Sequence, residues 1–356
     1  MSGEGRGRAN PPARRLGEAA RRQREEQEAR IRQLHRDRVP GEPFRSPFAR
    51  VVRRILWSLA LEERAQRNFE RIHARERAWE LGAKGPPAAG ESSWRLLHAS
   101  DFHLDFRPDL PDRLAARTRE TGPVDAAVLT GDFFDLVFRE DRLDRGLLRA
   151  LVEVFPAPRF AVLGNHDILA VGDLLESLGV QVLMNEGVEL PAGTGARQSL
   201  WVAGIDDART FATDSLASAL DQRAPSQPCV LLSHSPHRYG QAARAGVDLY
   251  LCGHTHGGQM APPWPWMPGP GGGLSVARRS GPWRWRRMQG YTSNGCGGCK
   301  LPYRLNAPAE VVVHQLRSPA PEKGATAPAG ATGLATPARP GSSGPGSLRE
   351  GRPGFQ

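Results

Sequence analysis

Five short polar motifs carry the chemistry of this sequence, each directly after an apolar run: Asp101-Phe102-His103, Gly131-Asp132, Gly164-Asn165-His166-Asp167, Ser233-His234 and Gly253-His254-Thr255-His256. Asp101, Asp132 and Asn165 offer oxygens, and His103, His234, His254 and His256 offer imidazole nitrogens. Hard oxygen and borderline nitrogen donors without a thiolate suit Mn²⁺, Fe or Zn²⁺ in a catalytic site, not the sulfur-rich sites of structural zinc. Together they supply ligands for two ions. A lone His-x-His or Gly-Asn-His-Asp would be an ordinary surface feature or turn. All five in order, with steps of 31 residues from Asp101 to Asp132, 33 to Asn165, 69 to His234 and 20 to His254, make chance a poor explanation.

The elements that must position these groups are strands. Residues 95–99, 126–130, 160–163, 229–232 and 249–252 are apolar runs of strand length, and a motif follows each. In an open α/β sheet the carboxyl ends of the strands gather along one edge, so motifs scattered over more than 150 residues can converge there. Gly131, Gly164 and Gly253 precede ligands at strand-to-loop turns, where a missing Cβ permits positive φ or a close approach of backbone to phosphate.

The order and chemistry of the motifs resemble the calcineurin-like metallophosphoesterases, whose pattern is D-x-H, G-D, G-N-H-[DE], H and G-H-x-H. Every metal-ligand position of that pattern is filled here. The resemblance covers residues 93–317 and implies an α/β fold, a four-layer α/β/β/α sandwich of two mixed sheets flanked by helices, with a dinuclear metal site at the strand ends. It implies one ion on Asp101, His103 and His256, another on Asn165, His234 and His254, and the Asp132 carboxylate bridging them. It further implies hydrolysis of a phosphoric ester or diphosphate by metal-bound hydroxide, with His166 as general acid and Asp167 tuning or orienting its ring. A second reading of His166, as a residue that only orients the loop, stays open. The Gly-His-Thr-His-Gly-Gly-Gln form of the last motif is similar to the bacterial phosphodiesterase branch, which includes enzymes cleaving UDP-2,3-diacylglucosamine in lipid A synthesis.

Extra segments surround that domain in the 356-residue chain. Residues 1–43 are dominated by Arg, Glu, Gln, Pro and Gly, and residues 318–356 by Pro, Gly, Ala, Ser and Thr, so both read as mostly unstructured. Residues 13–38 are rich in helix formers, but a charged helix without an apolar stripe buries little by itself. The formal charge of +10 is unevenly placed: residues 1–93 hold 21 Lys+Arg against 13 Asp+Glu, and the domain that follows is close to neutral. That balance argues against a nucleic-acid binder. No apolar run of 18 or more residues exists to span a bilayer, and no standard export signal is recognisable, so the expectation is a cytoplasmic enzyme. Residues 44–92 read as an amphipathic helical segment and linker. Within residues 44–61, Phe48, Val52, Ile55, Leu56 and Leu59 fall at helical spacing beside Arg50, Arg53 and Arg54. Such a helix either lies peripherally on the anionic inner membrane surface or packs its apolar side on the domain.

Residues 261–290 read as a long loop next to the last motif, with Trp264, Trp266, Trp283 and Trp285 beside Arg278, Arg279, Arg284, Arg286 and Arg287. As part of the rim, the arginines would bind a diphosphate and the tryptophans would hold acyl chains or stack on a base. As a surface loop, the same tryptophans would cover the domain edge. A lipid- or nucleotide-linked phosphodiester or pyrophosphate, UDP-2,3-diacylglucosamine among them, is the leading substrate. A broad phosphodiesterase or nuclease is the alternative, and a non-catalytic binding scaffold has less support because no metal-ligand position is missing. Cys296-Gly-Gly-Cys299 has redox or metal-clip spacing, but with no second pair a structural role is the better reading. Asp105 and Asp135 read as loop-supporting residues, and His98, His237 and His314 as ordinary structural histidines.

Overall fold

In the computed structural model the described residues are 16–35, 47–82, 92–134, 143–191, 199–261, 276–299 and 301–318; Phe44, Asp135, Trp264, Trp266 and the tail from residue 319 lie outside them. Twelve strands form two sheets among these residues. The first contains β1 (His73–Glu80), β2 (Ser92–Ala99), β3 (Ala126–Leu129), β4 (Arg159–Ala161) and β5 (Gln181–Val182), and is completed by the last strand, β12 (Glu310–Ser318), in the order β1-β12-β2-β3-β4-β5. The second contains β6 (Glu186–Leu190), β7 (Leu200–Gly204), β8 (Cys229–Leu232), β9 (Leu249–Cys252), β10 (Gly281–Trp285) and β11 (Met288–Thr292), in the order β10-β11-β9-β8-β7-β6. Strands β2 to β5 run parallel, as do β7, β8, β9 and β11, while β12 against β2, β6 against β7 and β10 against β11 are antiparallel. Both sheets are therefore mixed.

Both faces of each sheet are covered, which is why the central strands are apolar throughout. Side chains alternate between two cores. Trp94 and Leu96 of β2 meet Val230, Leu232, Leu249 and Leu251 of the second sheet. Leu97 and Ala99 meet the helices Leu110–Glu120 and Arg145–Glu153 through Leu114, Leu148 and Leu151. On the far side, Leu231 and Tyr250 pack with Ala219 and Ala242 of two short helices. The result is the four-layer α/β/β/α sandwich.

The ordered unit begins well before residue 93. Edge strand β1 pairs along its whole length with β12, although its residues fall in what the sequence presents as a linker. Its polar, charged composition suits an edge exposed to water. Helix α1 (Glu18–His35) lies in residues expected to be mostly unstructured, or at best a charged helix that buries little. It instead buries Arg24 and Glu28, because ion pairs and hydrogen bonds dock it where an apolar stripe is lacking. Helices α2 (Pro47–Ser58) and α3 (Glu62–Glu70) pack Ala49, Leu56 and Ala65 against Leu301 and Tyr303.

A polar chain crosses the core between the sheets. Trp79 Nε1 can only donate, and it lies 2.9 Å from His314 Nδ1, so His314 carries its hydrogen on Nε2. That nitrogen is 3.3 Å from His98 Nδ1, and His98 Nε2 is 2.9 Å from the Thr130 hydroxyl. Each tautomer is set by its neighbour, and both rings are neutral. Burial pushes His98 down to about 3 and His314 well below the usual histidine range. At neutral pH neither ring is charged, folded or unfolded; below about pH 6.5 the unfolded chain takes up protons that the folded one refuses. For His98, stability should therefore fall by about 1.4 kcal/mol per pH unit between about pH 6.5 and pH 3, and His314 adds a loss of the same sign. Urea titrations of wild type and His98→Gln should show the variant losing less stability than wild type from about pH 7 to pH 5. A pH-independent difference between them would mean that His98 takes up its proton in the fold as readily as in the unfolded chain.

Candidate metal centre

The motifs arrive at one edge of the sandwich because parallel strands deliver them there. Asp101 and His103 follow β2, Asp132 follows β3, Asn165 and His166 follow β4, His234 follows β8, and His254 and His256 follow β9. The exit loops brace one another: Asp101 N–H donates to the Gly131 carbonyl, and Phe102 N–H and His103 N–H donate to the Asp132 carbonyl. Asp101, His103, Asp132, His254 and His256 all take positive φ, between 45° and 72°. Such backbone costs about 1 kcal/mol or more per residue and persists only where the surroundings impose it. A Cβ on Gly164 would overlap the Asp132 carboxylate, and one on Gly253 the Asp101 carboxylate. These two glycines make room for ligand side chains, whereas the expectation was positive φ or room for phosphate.

Two groups form, Asp101 with His103 and His256, and Asp132 with His234 and His254; within each, one ligand atom per residue lies within 4.8 Å of the others. In the first, His103 Nε2 lies 3.1 Å from His256 Nε2, and His256 Nε2 lies 3.6 Å from Asp101 Oδ1. In the second, Asn165 Oδ1 lies 3.0 Å from His234 Nε2 and 2.7 Å from His254 Nδ1. Asp132 Oδ2 faces both groups, 3.2 Å from His234 Nε2 and 3.8 Å from His103 Nε2.

The donor set calls for a cation. His234 Nδ1 lies 2.7 Å from the Thr130 carbonyl, an acceptor, so that nitrogen carries hydrogen. The neutral ring then aims a lone pair at Asp132 Oδ2 and Asn165 Oδ1, two more acceptors. Buried acceptors this close need positive charge among them, either a proton or a metal that takes its place. Against the lowering effect of burial, the Asp132 carboxylate raises His234 to about 10. Burial together with the Asp132 charge raises Asp101 to about 7. Oxygens and imidazoles arranged this way fit a divalent ion of the Mn, Fe or Zn type.

His166 is half-buried at the mouth; its backbone N–H donates to Asp132 Oδ1 at 3.0 Å, and its ring centroid stands 5.4 Å from that of His103. Asp167 departs from its expected role. Its Oδ2 accepts from Gly164 N–H and Asp132 N–H, both at 2.8 Å, and its Oδ1 accepts from Phe133 N–H at 2.9 Å. It ties the exit loops of β3 and β4 together and does not serve the imidazole.

The five rim arginines do not act as a group. Arg284, Arg286 and Arg287 lie at the β10–β11 turn, paired in register at the start of β11, the opposite end of the sheet from the ligands. Four residues of strand place them about 13 Å from that edge, beside Glu80 and Asp248. Arg278 stacks on Tyr239, 4.0 Å from the ring centroid. Only Arg279 adjoins a ligand loop, its carbonyl accepting from the Thr255 hydroxyl. Trp283 is buried under Gly290 and donates to the Thr292 hydroxyl, so it covers the domain edge. Cys296 is likewise buried, its thiol 3.2 Å from the Glu310 carbonyl.

Three further residues belong to the centre. Arg209 Nη1 lies 3.4 Å from His254 Nε2. The ring of His237 stands 5.9 Å from that of His254. Arg304 is fully buried and donates to the carbonyls of His256, Gly297 and Ala307. Arg209 had one available signal: it follows β7, another parallel apolar strand, as the motifs follow theirs.

The model of the calcineurin-like phosphoesterase family matches residues 95–258. The uncharacterized metallophosphoesterase YkoQ of Bacillus subtilis (strain 168) is 31% identical over 238 residues, 62% of this chain and 83% of YkoQ. An uncharacterized metallophosphoesterase of Aquifex aeolicus (strain VF5) is 36% identical over 181 residues, 47% of this chain and 64% of that protein. Phosphodiesterase YaeI of Escherichia coli (strain K12) is 31% identical over 185 residues, 48% of this chain and 63% of YaeI. With five motifs from both sheets converged at one end of the sandwich and YkoQ matched over most of its length, the chain belongs to the calcineurin-like metallophosphoesterases and is a metal-dependent phosphoester hydrolase.

Proposed function

We propose that this hydrolase cleaves a phosphodiester or pyrophosphate bond of a lipid-linked substrate at an anionic membrane surface, with UDP-2,3-diacylglucosamine as the first candidate. Asp101, His103 and His256 would hold one divalent ion and Asn165, His234 and His254 the other, with the Asp132 carboxylate shared between them. Bound there, the pair of ions supplies Lewis acidity toward the phosphoryl group and an acidified water near neutral pH. The chain's own residues prepare the site. The Thr130 carbonyl fixes the His234 ring, and Asp101 accepts from His254 N–H at 3.0 Å, binding the first motif to the last. His166, at the mouth, is the proton donor to the leaving oxygen. Arg279 is the member of the arginine group left near the substrate.

Helix α2 carries the lipid half of this reading. The exposed large hydrophobics among the described residues are Leu34, Phe48, Val51, Ile55, Trp57, Leu59 and Trp285, and five of these seven fall between residues 48 and 59. At 3.6 residues per turn the apolar arc from Val51 through Ile55, Phe48 and Val52 to Leu56 and Ala49 is about 160° wide. Leu56 and Ala49 pack on the domain, and the Val51, Ile55 and Phe48 side stays open. That open side measures on the order of a few hundred Å², short of the roughly 800 Å² per partner of a stable protein interface. A lipid headgroup layer accepts a narrow apolar stripe, and Arg50 and Arg54 would each add about 1 kcal/mol at an anionic surface.

Three outcomes follow from this reading. With Mn²⁺, wild type but not Asp132→Asn should release UMP and acylated sugar phosphate from UDP-2,3-diacylglucosamine, followed by phosphorus NMR; an intact lipid beside cleaved bis-p-nitrophenyl phosphate would leave a broad phosphodiesterase. His166→Gln should lower kcat roughly 100-fold on methyl phenyl phosphate and less on methyl p-nitrophenyl phosphate, whose better leaving group needs less protonation. Equal losses would make His166 a loop-orienting residue. Val51→Asp with Ile55→Asp should abolish cosedimentation with phosphatidylglycerol vesicles while hydrolysis of bis-p-nitrophenyl phosphate is unchanged; retained vesicle binding would rule out α2 as the contact.

A further inference from the structure

Arg24 stands where α1, which lies outside the matched region 95–258, meets both loops that flank the metal-ligand cluster. Its side chain is fully buried. Nη1 donates to Asp206 Oδ1 at 2.8 Å, Nη2 to the Asp167 carbonyl at 2.8 Å, and Nε to Glu28 Oε1 at 3.1 Å. The guanidinium carbon lies 3.4 Å from the centroid of the Phe211 ring. Glu28, one turn on, accepts from Leu169 N–H at 3.0 Å, and Gln23 donates to the Phe211 and Ala212 carbonyls, each at 3.1 Å. The helix thus grips the segment directly after Asn165-His166 and the segment that carries Arg209 to His254.

A buried ion pair gives little stability beyond a well-packed apolar contact, because both charges must leave water. What a guanidinium adds is direction, since its rigid fork addresses several partners at fixed angles. We propose that Arg24 is a positioning residue for the hydrolysis, holding the His166 loop and the Arg209 loop in register across the mouth of the metal centre. Helix α1 is then part of the catalytic unit. The Asp167 carbonyl that Arg24 holds belongs to the residue whose carboxylate binds Asp132 N–H and Gly164 N–H, so the grip reaches the backbone of the shared ligand. On the other loop, the exposed Arg209 guanidinium offers donors for the phosphoryl oxygens of the substrate.

This inference rests on the hydrolytic reading of the centre, and the full-length, Mn²⁺-loaded protein tests both. Arg24→Lys keeps a charge for Asp206 but gives up the second arm to the Asp167 carbonyl. It should lower kcat roughly 10- to 100-fold, more on methyl phenyl phosphate than on methyl p-nitrophenyl phosphate, with bound Mn²⁺ unchanged. The same leaving-group skew as His166→Gln marks a displaced proton donor, which a merely structural role would not produce. An unaltered kcat, or an equal loss on both esters that tracks lost metal or folded protein, would reduce α1 to a structural cap. Should Arg24→Lys not fold, Gln23→Ala removes only the bonds to the Phe211 and Ala212 carbonyls and should raise KM several-fold with kcat little changed; an unchanged KM overturns the inference there. Wild type inactive on both esters would instead tell against the hydrolytic reading itself.

Discussion

Buried acceptors crowd around Asp132, and the surrounding structure is organised to hold them together. Asp132 Oδ2 stands 3.2 Å from His234 Nε2, and Asn165 Oδ1 lies 3.0 Å from that nitrogen and 2.7 Å from His254 Nδ1. With His234 Nδ1 committed to the Thr130 carbonyl, these buried acceptors need a proton or a metal ion among them, because an unpaired acceptor costs most in a buried place. The left-handed backbone at five ligand positions and the glycines that clear space for two carboxylates are local costs met by the two packed sheets. A cation held there would be coordinated by the same crowded oxygens and imidazoles that otherwise need a proton among them.

Buried charge recurs as the means by which distant segments are joined. Asp167 ties the exits of β3 and β4 through three backbone N–H groups. Arg304 gathers the carbonyls of His256, Gly297 and Ala307 beneath the last motif. Glu310, at the start of β12, accepts from the Tyr291 hydroxyl and Asn294 N–H and pairs with Arg75 at 2.7 Å. Arg24 does the same for α1. These contacts are directional where aliphatic packing is not, and they cluster at the end of the sandwich where ligand geometry must be held to a fraction of an ångström. The opposite end carries the exposed β10–β11 turn and its three arginines.

Helix α2 packs one part of its amphipathic arc on the domain and leaves another part open. Its arc is too wide for the contact it makes with Leu301 and Tyr303, so the membrane and packing readings of the same residues are compatible. Leu56 and Ala49 face the domain, and Phe48, Val51 and Ile55 face outward.

The sequence by itself determined the candidate metal-ligating residues, the strands before them and the end of the sandwich where they meet. Those features are local: a period of two or a short apolar run makes a strand, and a ligand placed just past its end must project at the carboxyl edge of a parallel sheet. The two-sheet sandwich was legible through the motif resemblance. Only the tertiary structure decided the rest, because the partners lie far away in the chain. Arg24 looks like one more surface arginine until Asp167 and Asp206, 143 and 182 residues on, close around it. Strand β1 has no apolar signature because an edge strand needs none, and its ladder comes from β12 at the other end of the domain. Arg284, Arg286 and Arg287 are near His256 in sequence, but the register of β10 and β11 carries them to the far end of the sheet. Arg209 reaches His254 by the folding together of β7 and β9, a contact that sequence spacing does not encode.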